Sequence, residues 1–165
     1  MLRTRIPTPG FGRAAPDLIG ASGMASRVPA NRSQITGNAG LNYAAWQLSR
    51  RGWHVMPTIR NARGSDLIVV NEDETAFFGV QSKALNKRAA VGLGTALDAL
   101  RSDWWVITVS ANSDAPRCYV LSLDDVRRLA SRDKGGEKRY WLEPRDYEAD
   151  EFSEAWNRIG TPTAN

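Results

Sequence analysis

An aspartate and a lysine lie on either side of a short acidic turn in this sequence. Asp66 begins an apolar run, and Gln81-Ser82-Lys83 ends the run that follows the turn. A carboxylate, a second oxygen ligand and an amine, brought together across two strands, can hold a hard divalent cation and activate water. These residues therefore indicate a candidate site for phosphodiester hydrolysis.

The residue types predict separate roles within such a site. Asp66 would supply the anionic oxygen that Mg²⁺ demands, the Gln81 carbonyl a neutral and weaker ligand, and the Ser82 backbone carbonyl a third oxygen. Lys83 would orient or help to deprotonate the attacking water, or balance charge that develops on the phosphate.

A β-hairpin must position these groups. The apolar runs at residues 66–70 and 75–83, with acidic turn residues between them, predict its two strands. A turn centred in the acidic segment places Asp66 opposite Gln81, with Cβ atoms roughly 4.5 to 5.5 Å apart. Gln81 and Lys83 face the same side of the sheet because they are two residues apart. A shift of register by one residue would separate the groups.

One helix and one strand precede the hairpin. Apolar residues recur at helical spacing from Leu41 to Leu48, which predicts an amphipathic helix of about 14 residues that begins near Gly37. Gly52 is the expected residue just beyond its end. Residues 53–58 then predict a strand.

The segment after the hairpin predicts further alternation of helix and strand. Residues 89–101 indicate a loop followed by a short helix, and residues 104–110 and 117–122 indicate two strands. Ser122 is a good N-cap for the next helix. A last helix is expected to end within residues 155–160. The order α-β-β-β-α-β-β-α predicts an α/β fold with a mixed β-sheet flanked by helices.

This order of elements resembles the PD-(D/E)XK nuclease superfamily, which includes restriction endonucleases and archaeal Holliday-junction resolvases. The resemblance is carried by Gly64-Ser65-Asp66 and Val80-Gln81-Ser82-Lys83, within about residues 37–121. It implies a restriction-endonuclease-like core and Mg²⁺- or Mn²⁺-dependent cleavage of DNA. The implied catalytic residues are Asp66, Gln81 and Lys83, with Asp66 at the position of the metal-binding aspartate. Together with the residue types described above, this gives Asp66, Gln81 and Ser82 as the expected metal ligands. Many nucleases of this superfamily work as dimers, so a homodimer is a further expectation.

Two positions depart from the pattern of the superfamily. Gln81 occupies the position usually held by Glu or Asp, and Leu41 follows Gly40 where the first helix commonly carries Glu. Asn38 or Asn42 could lend a neutral carbonyl, but neither replaces the charge. The site would then hold one carboxylate rather than two or three, so we expect a weakly held metal.

Two functions are compatible with these residues. One is a Mg²⁺-dependent nuclease with a reduced ligand set that substrate phosphate oxygens complete. The other is a catalytically inactive nucleic-acid-binding or protein-interaction module on the same fold. The presence of both Asp66 and Lys83 favours the nuclease, because a decayed site has no chemical reason to keep both groups in register.

Basic residues flank the hairpin and indicate contacts with phosphate. Arg60 and Arg63 precede it and Lys87 and Arg88 follow it, so all four are expected near the end of the sheet that carries Asp66. The formal net charge of +4 is uneven. Residues 1–63 carry nine arginines against one acidic residue, and the remainder is net acidic. Such a basic arm suits either a nucleic-acid backbone or a merely solubilising leader.

The 165 residues suit one domain with tails. Residues 1–32 are rich in Arg, Pro and Gly and predict a disordered tail, residues 33–160 the domain, and residues 161–165 a second tail. Met24 is an alternative start. A single cysteine excludes an intramolecular disulfide, and the sequence lacks the long apolar run of a membrane span, so a cytoplasmic protein without a membrane partner is expected.

Other chemically interesting residues favour structural interpretations. His54 has no second histidine with which to bind a metal, and Cys118 lies in an apolar strand without a partner base. Gly92-Leu93-Gly94 lacks the third glycine and the preceding strand of a dinucleotide-binding loop. Residues 72–74 are more simply explained as a solvated turn than as a metal site.

Overall fold

The computed structural model describes residues 30–59, 64–133 and 138–162. Within these residues, 3₁₀ helices at Leu97–Ala99 and Trp156–Ile159 accompany the regular elements. In chain order, the helices and strands are α1 (Ala30–Ser49), β1 (His54–Pro57), β2 (Leu67–Val70), β3 (Phe77–Leu85), β4 (Val91–Gly94), β5 (Trp104–Val109), β6 (Arg117–Ser122), α2 (Leu123–Leu129), β7 (Ser131–Arg132), β8 (Tyr140–Leu142) and α3 (Pro144–Tyr147).

The strands within the described residues form two sheets. The larger is a mixed five-stranded sheet in the order β1-β2-β3-β5-β6, in which β3 and β5 run parallel and the other neighbours are antiparallel. The smaller sheet has the order β4-β8-β7 and is antiparallel. This mixed sheet with flanking helices confirms the predicted fold class.

A separate hydrophobic core covers each face of the five-stranded sheet. The first lies between the sheet and α1, with the C-terminal 3₁₀ helix alongside. The second lies between the opposite face, the small sheet and α2. The first core includes Ala44, Leu48, Leu67, Val69, Val80, Val106 and Trp156, and the second includes Leu93, Trp105, Ile107, Leu121, Val126, Leu142 and Tyr147.

Helix α1 begins earlier than its apolar pattern predicts. It has 20 residues rather than about 14, because its first half is held by a tertiary contact and not by an apolar stripe. The side chain of Asn112 donates a hydrogen bond of 2.7 Å to the buried hydroxyl of Thr36. Leu41 packs against the first core as expected, and Gly52, with φ of +93°, follows the helix at the predicted position.

Two glycines of α1 provide a matched test of how closely the helix approaches the sheet. A Cβ at Gly40 would overlap the Cβ of Ala84, whereas a Cβ at Gly37 would meet nothing within 4 Å. We expect Gly40→Ala to lower the free energy of unfolding by about 1–3 kcal/mol through overpacking. Gly37→Ala should raise it by about 0.5–1 kcal/mol because alanine favours helix. Urea unfolding of both variants checks this, and equal effects would contradict the packing.

The segment after the hairpin differs from its prediction. The loop and short helix expected at residues 89–101 are instead strand β4 and a 3₁₀ helix. Strand β4 forms because it pairs with β8, which lies almost fifty residues further along the chain. Gly92 packs against the ring of Trp141, where a Cβ would already be 3.4 Å away.

The expected C-terminal helix is likewise shorter than predicted. Residues 156–159 form a single 3₁₀ turn, which ends at Gly160 with φ of +90°. The preceding Glu154 has φ of +49° and is held by long-range contacts. Its carboxylate accepts hydrogen bonds from the Cys118 backbone N–H at 2.6 Å and from the Trp156 indole at 2.9 Å. These contacts outweigh the local helical pattern.

Helix α2 begins with the predicted Ser122 cap. Ser122 and Asp125 form a reciprocal capping box, and Asp125 also forms ion pairs with Arg158 at 2.8 Å and Arg128 at 2.9 Å. Burial alone would raise the pKa of Asp125, but the hydrogen bonds from Ser122, Arg128 and Arg158 outweigh it and hold this pKa well below its usual value. The carboxylate therefore stabilises the fold in its ionised form.

Asp125 should make stability depend on acid pH. Its pKa is lower in the folded than in the unfolded chain, so its contribution is complete above an ordinary aspartate pKa of about 4 and is lost as pH falls further towards the folded-state pKa. At pH 7 we expect Asp125→Asn to lower the free energy of unfolding by about 2 kcal/mol. The difference from wild type should shrink below about pH 4. Urea unfolding at several pH values measures it, and a constant difference would contradict this account.

Candidate functional site

The hairpin has the predicted register. Leu67 pairs with Val80, and continuing this register places Asp66 opposite Gln81. The two side chains touch, because Gln81 Nε2 donates a hydrogen bond to Asp66 Oδ2. The backbone N–H of Ser82 donates a second hydrogen bond to the same oxygen at 2.8 Å. Gln81 and Ser82 therefore both contact the carboxylate of Asp66.

A network of hydroxyl groups holds the segment that leads into Asp66. The buried Ser65 and Ser102 hydroxyls lie 2.9 Å apart, and Ser102 Oγ also donates to the carbonyl of Gly64 at 3.0 Å. Thr58 Oγ1 donates to the carbonyl of Ser65 at 2.6 Å, and Thr58 N–H donates to the carbonyl of Asp66 at 2.9 Å. The Asp66 backbone is thus fixed from both sides.

A close approach at Gly79 completes this support. A Cβ at Gly79 would overlap Ser65 Oγ, so only glycine leaves room for this hydroxyl. The Gly79 N–H donates to Asp103 Oδ2 at 2.8 Å. The sequence interpretation missed Ser102 and Asp103 as positioning residues. They lie more than twenty residues from the atoms that they contact, so no local pattern could have identified them.

Lys83 lies on the same face of the sheet as Gln81. Alternate residues of β3 face opposite sides, and Val80 and Ala84 face α1. Gln81 and Lys83 therefore project from the other face. Lys83 Nζ lies 5.6 Å from the ring centroid of Trp105, whose stacking with the ammonium group holds the lysine near the sheet.

Helix α1 lies across the sheet from this site. Ala44 and Leu48 pack in the core that covers the opposite face, and Gly40 approaches Ala84. Asn38 and Asn42 are both exposed on this helix. The expectation that one of them lends a carbonyl to the metal is therefore not supported by the placement of α1.

Burial perturbs the charge of Asp66. The side chain is half-buried, and this desolvation raises the pKa of its carboxyl above the ordinary value. The Ser82 N–H and the positive charge of Lys83 act in the opposite direction without cancelling the effect. A cation beside Asp66 would therefore find a carboxylate that is poorly solvated by water.

The donor set fits a weakly held, largely hydrated divalent cation. No group of three His, Cys, Asp or Glu side chains occurs among residues 32–59, 64–133 and 138–162, so Asp66 does not belong to a cluster of that size. Three oxygens of neighbouring residues are available as ligands. They are Asp66 Oδ1, the Ser82 backbone carbonyl and, after rotation of the amide, the side-chain oxygen of Gln81. Mg²⁺ commonly keeps several waters and binds one or two carboxylates together with substrate phosphates.

The predicted nucleic-acid-binding residues fall into two groups. Lys87 and Arg88 are exposed in the loop that follows β3. The guanidinium of Arg88 forms an ion pair with Glu148 at 2.7 Å, so part of its charge is already matched. Arg60 and Arg63 lie outside the described residues, as does most of the predicted N-terminal tail. The clustering of these four residues stays a prediction.

The other chemically interesting residues of the sequence, His54, Cys118 and the acidic turn, lie outside the candidate site. His54 is exposed on strand β1. Cys118 is fully buried, and desolvation raises the pKa of its thiol to about 12, which makes it a poor nucleophile. Asp73 accepts hydrogen bonds from Asn71 and Thr75 within the acidic turn. The burial of Cys118 and the hydrogen bonds of Asp73 confirm the structural interpretations of the cysteine and of the acidic turn.

No helix within the described residues has both the length and the apolar character needed to cross a membrane.

Comparisons with known proteins identify the fold. No protein-family model matches the sequence, and no curated protein matches it. Among solved structures, the bacterial homing endonuclease I-Ssp6803I superposes with a TM-score of 0.51 at 18% identity, over 77% of this chain and 91% of the endonuclease. Hjc, a Holliday junction resolvase from Archaeoglobus fulgidus, gives a TM-score of 0.48 at 12% identity, over 68% of this chain and 87% of the resolvase. The chain therefore shares the fold of this homing endonuclease, a restriction-endonuclease-like fold.

Proposed function

We propose that this protein is an endonuclease that hydrolyses phosphodiester bonds of DNA with Mg²⁺ or Mn²⁺ held in a reduced site. One observation carries the proposal. Asp66, Gln81 and the Ser82 backbone converge on one point, and Lys83 projects from the same face of the sheet one strand repeat away. The fold shared with a homing endonuclease supports the same conclusion.

Each residue has a definable task in this mechanism. Asp66 would attract the cation, and the Ser82 N–H and the Ser65 network hold its carboxylate in place. The Gln81 amide would present its oxygen as a neutral ligand. Lys83 would contact a non-bridging phosphate oxygen and orient the attacking water. When bound, the cation supplies Lewis-acid polarisation of the phosphoryl oxygen.

The second candidate function is an inactive nucleic-acid-binding module. It is favoured by the hydrogen bond from Gln81 to Asp66, which satisfies the carboxylate internally, and by the contact of Lys83 with Trp105. In a protein that has lost nuclease activity, these contacts would serve only to stabilise the fold. The two functions differ in whether metal ions change the products formed from DNA.

A cleavage assay separates the two functions. Purified protein is incubated with plasmid, single-stranded and branched DNA in Mg²⁺, Mn²⁺ or EDTA. The nuclease proposal expects nicked or linear products with either metal and none with EDTA. Lys83→Ala should remove them, whereas Lys138→Ala, an exposed lysine outside the site, should not. Identical traces for wild type and Lys83→Ala would refute the nuclease proposal.

A dimer would also follow from this function, because one such site cuts one strand and cleavage of a duplex on both strands requires two sites. We therefore propose that the protein acts as a homodimer where both strands of its DNA substrate are cut. Light scattering during gel filtration measures the molar mass of the protein, alone and with DNA. A monomer that linearises plasmid in a single encounter would contradict the dimer.

A further inference from the structure

A cleft of about 270 Å³ opens beside Lys83. Its floor is formed by β3 and β5, and its outer wall by β4 and the segment around the 3₁₀ helix Leu97–Ala99. Gln81 and Lys83 both line it, so the cleft is continuous with the candidate catalytic site. The outer wall is the part of the fold that the sequence predicted as a loop and helix. The strand pairing of β4 with β8 creates the cleft.

The cleft favours an anionic ligand. Lys83 and Arg101 contribute cationic side chains, and none of the lining residues that the structure describes is acidic. Arg101 is preorganised, because its Nη1 donates hydrogen bonds to the backbone carbonyls of Asp98 and Leu100. Nε and Nη2 of the guanidinium remain as donors for an oxygen anion.

The rest of the lining suits an apolar ring and close contact with backbone. Gly92 and Gly94 place backbone without side chains at the wall, and Leu93 and Leu100 add apolar surface. Trp105 also lines the cleft, and its buried indole N–H has no hydrogen-bond partner in the described part of the chain. Buried N–H groups normally have a hydrogen-bond partner, so a ligand in the cleft could supply an acceptor for this one.

We propose that this cleft binds one unpaired nucleotide of the substrate strand next to the scissile phosphate. Lys83 and Arg101 contact its phosphate, and its base lies against Leu93 and Leu100. The volume of about 270 Å³ lies below the roughly 300–1,000 Å³ of ordinary ligand pockets, so we infer that the cleft takes a single base rather than a base pair. The substrate class is therefore DNA with a single-stranded or branched segment, an inference that rests on the proposed function.

A pair of alanines in one segment tests the cleft. Ala99 lines it and Ala96 does not, although both are exposed. Binding of labelled single-stranded, duplex and tailed-duplex DNA is measured by fluorescence anisotropy in EDTA, so that no cleavage occurs. The larger side chain of Ala99→Phe fills part of the cleft and should weaken binding of single-stranded and tailed DNA by about tenfold, while it leaves duplex binding unchanged. Ala96→Phe should behave as wild type in all three cases.

A second pair tests the charge. Arg101→Ala should weaken binding of single-stranded DNA and reduce the slope of log affinity against log salt by about 0.7, the effect of one phosphate contact on a single strand. Arg117→Ala removes the same charge from an exposed residue outside the cleft and should leave both unchanged. Circular dichroism confirms that each variant is folded.

The outcomes separate this inference from the proposed function. Equal effects of Ala99→Phe and Ala96→Phe, equal affinity of wild type for duplex and tailed DNA, or no binding of any DNA would overturn the cleft proposal. Selective loss with Ala99→Phe supports it even when wild type cleaves nothing in Mg²⁺, a result that removes the nuclease function alone. If wild type cleaves tailed DNA in a metal-dependent way and Ala99→Phe cleaves it equally well, the nuclease function is supported and the cleft proposal is overturned.

Discussion

Replacing Asp66 with asparagine should reduce the rate of metal-dependent DNA cleavage by at least about 100-fold and leave the fold as stable as wild type or more so. The rate falls because asparagine keeps the shape of the side chain but removes the carboxylate on which cation binding depends. The variant keeps an oxygen acceptor for the Ser82 N–H. Initial rates of plasmid nicking in Mn²⁺ measure the loss.

The stability expectation follows from the direction of the Asp66 pKa. Burial raises this pKa in the folded chain, so stability falls as pH rises through the folded-state pKa, and ionised Asp66 costs stability at neutral pH. Asparagine removes that cost. Thermal unfolding at pH 7 measures the effect, with Asp114→Asn, an exposed aspartate outside the site, as the control for both rate and stability. A stable Asp66→Asn variant that still cleaves at the wild-type rate would exclude Asp66 as the metal ligand.

Replacing Gln81 with glutamate is expected to tighten Mn²⁺ binding by about tenfold or more, because ligand charge strongly tunes the affinity of hard cations. Without metal, the introduced carboxylate lies against Asp66 and repels it, so the melting temperature should fall. Added Mn²⁺ should restore that temperature and raise it more than in wild type. Calorimetric titration and thermal unfolding with and without metal measure these effects.

Gln81→Met is the matched control for this change. It keeps a similar length, removes the amide oxygen and adds no charge, so it should bind metal more weakly than wild type. A glutamate variant with unchanged metal affinity would show that position 81 does not face the cation. It would leave open the separate binding role of the neighbouring cleft, which the Ala99→Phe test addresses.

Local sequence was sufficient for the centre of the site. The strand period and the acidic turn between two apolar runs placed Asp66 opposite Gln81 and put Lys83 on the same face, and the structure has this register. The fold class followed from the alternation of helices and strands, although the helix predicted after β3 is wrong. Both predictions succeeded because side-chain alternation and turn residues act over a few residues, and one hairpin contains all the groups concerned.

Long-range contacts decided what surrounds that centre. The sequence indicated a helix after β3, but pairing of β4 with β8 made a strand instead and opened the cleft beside Lys83. Packing of α1 on the opposite face removed Asn38 and Asn42 from the site. The sequence by itself determined which chemical groups meet. Only the tertiary structure decided which elements enclose them, because pairing between distant segments depends on surfaces that no local pattern records.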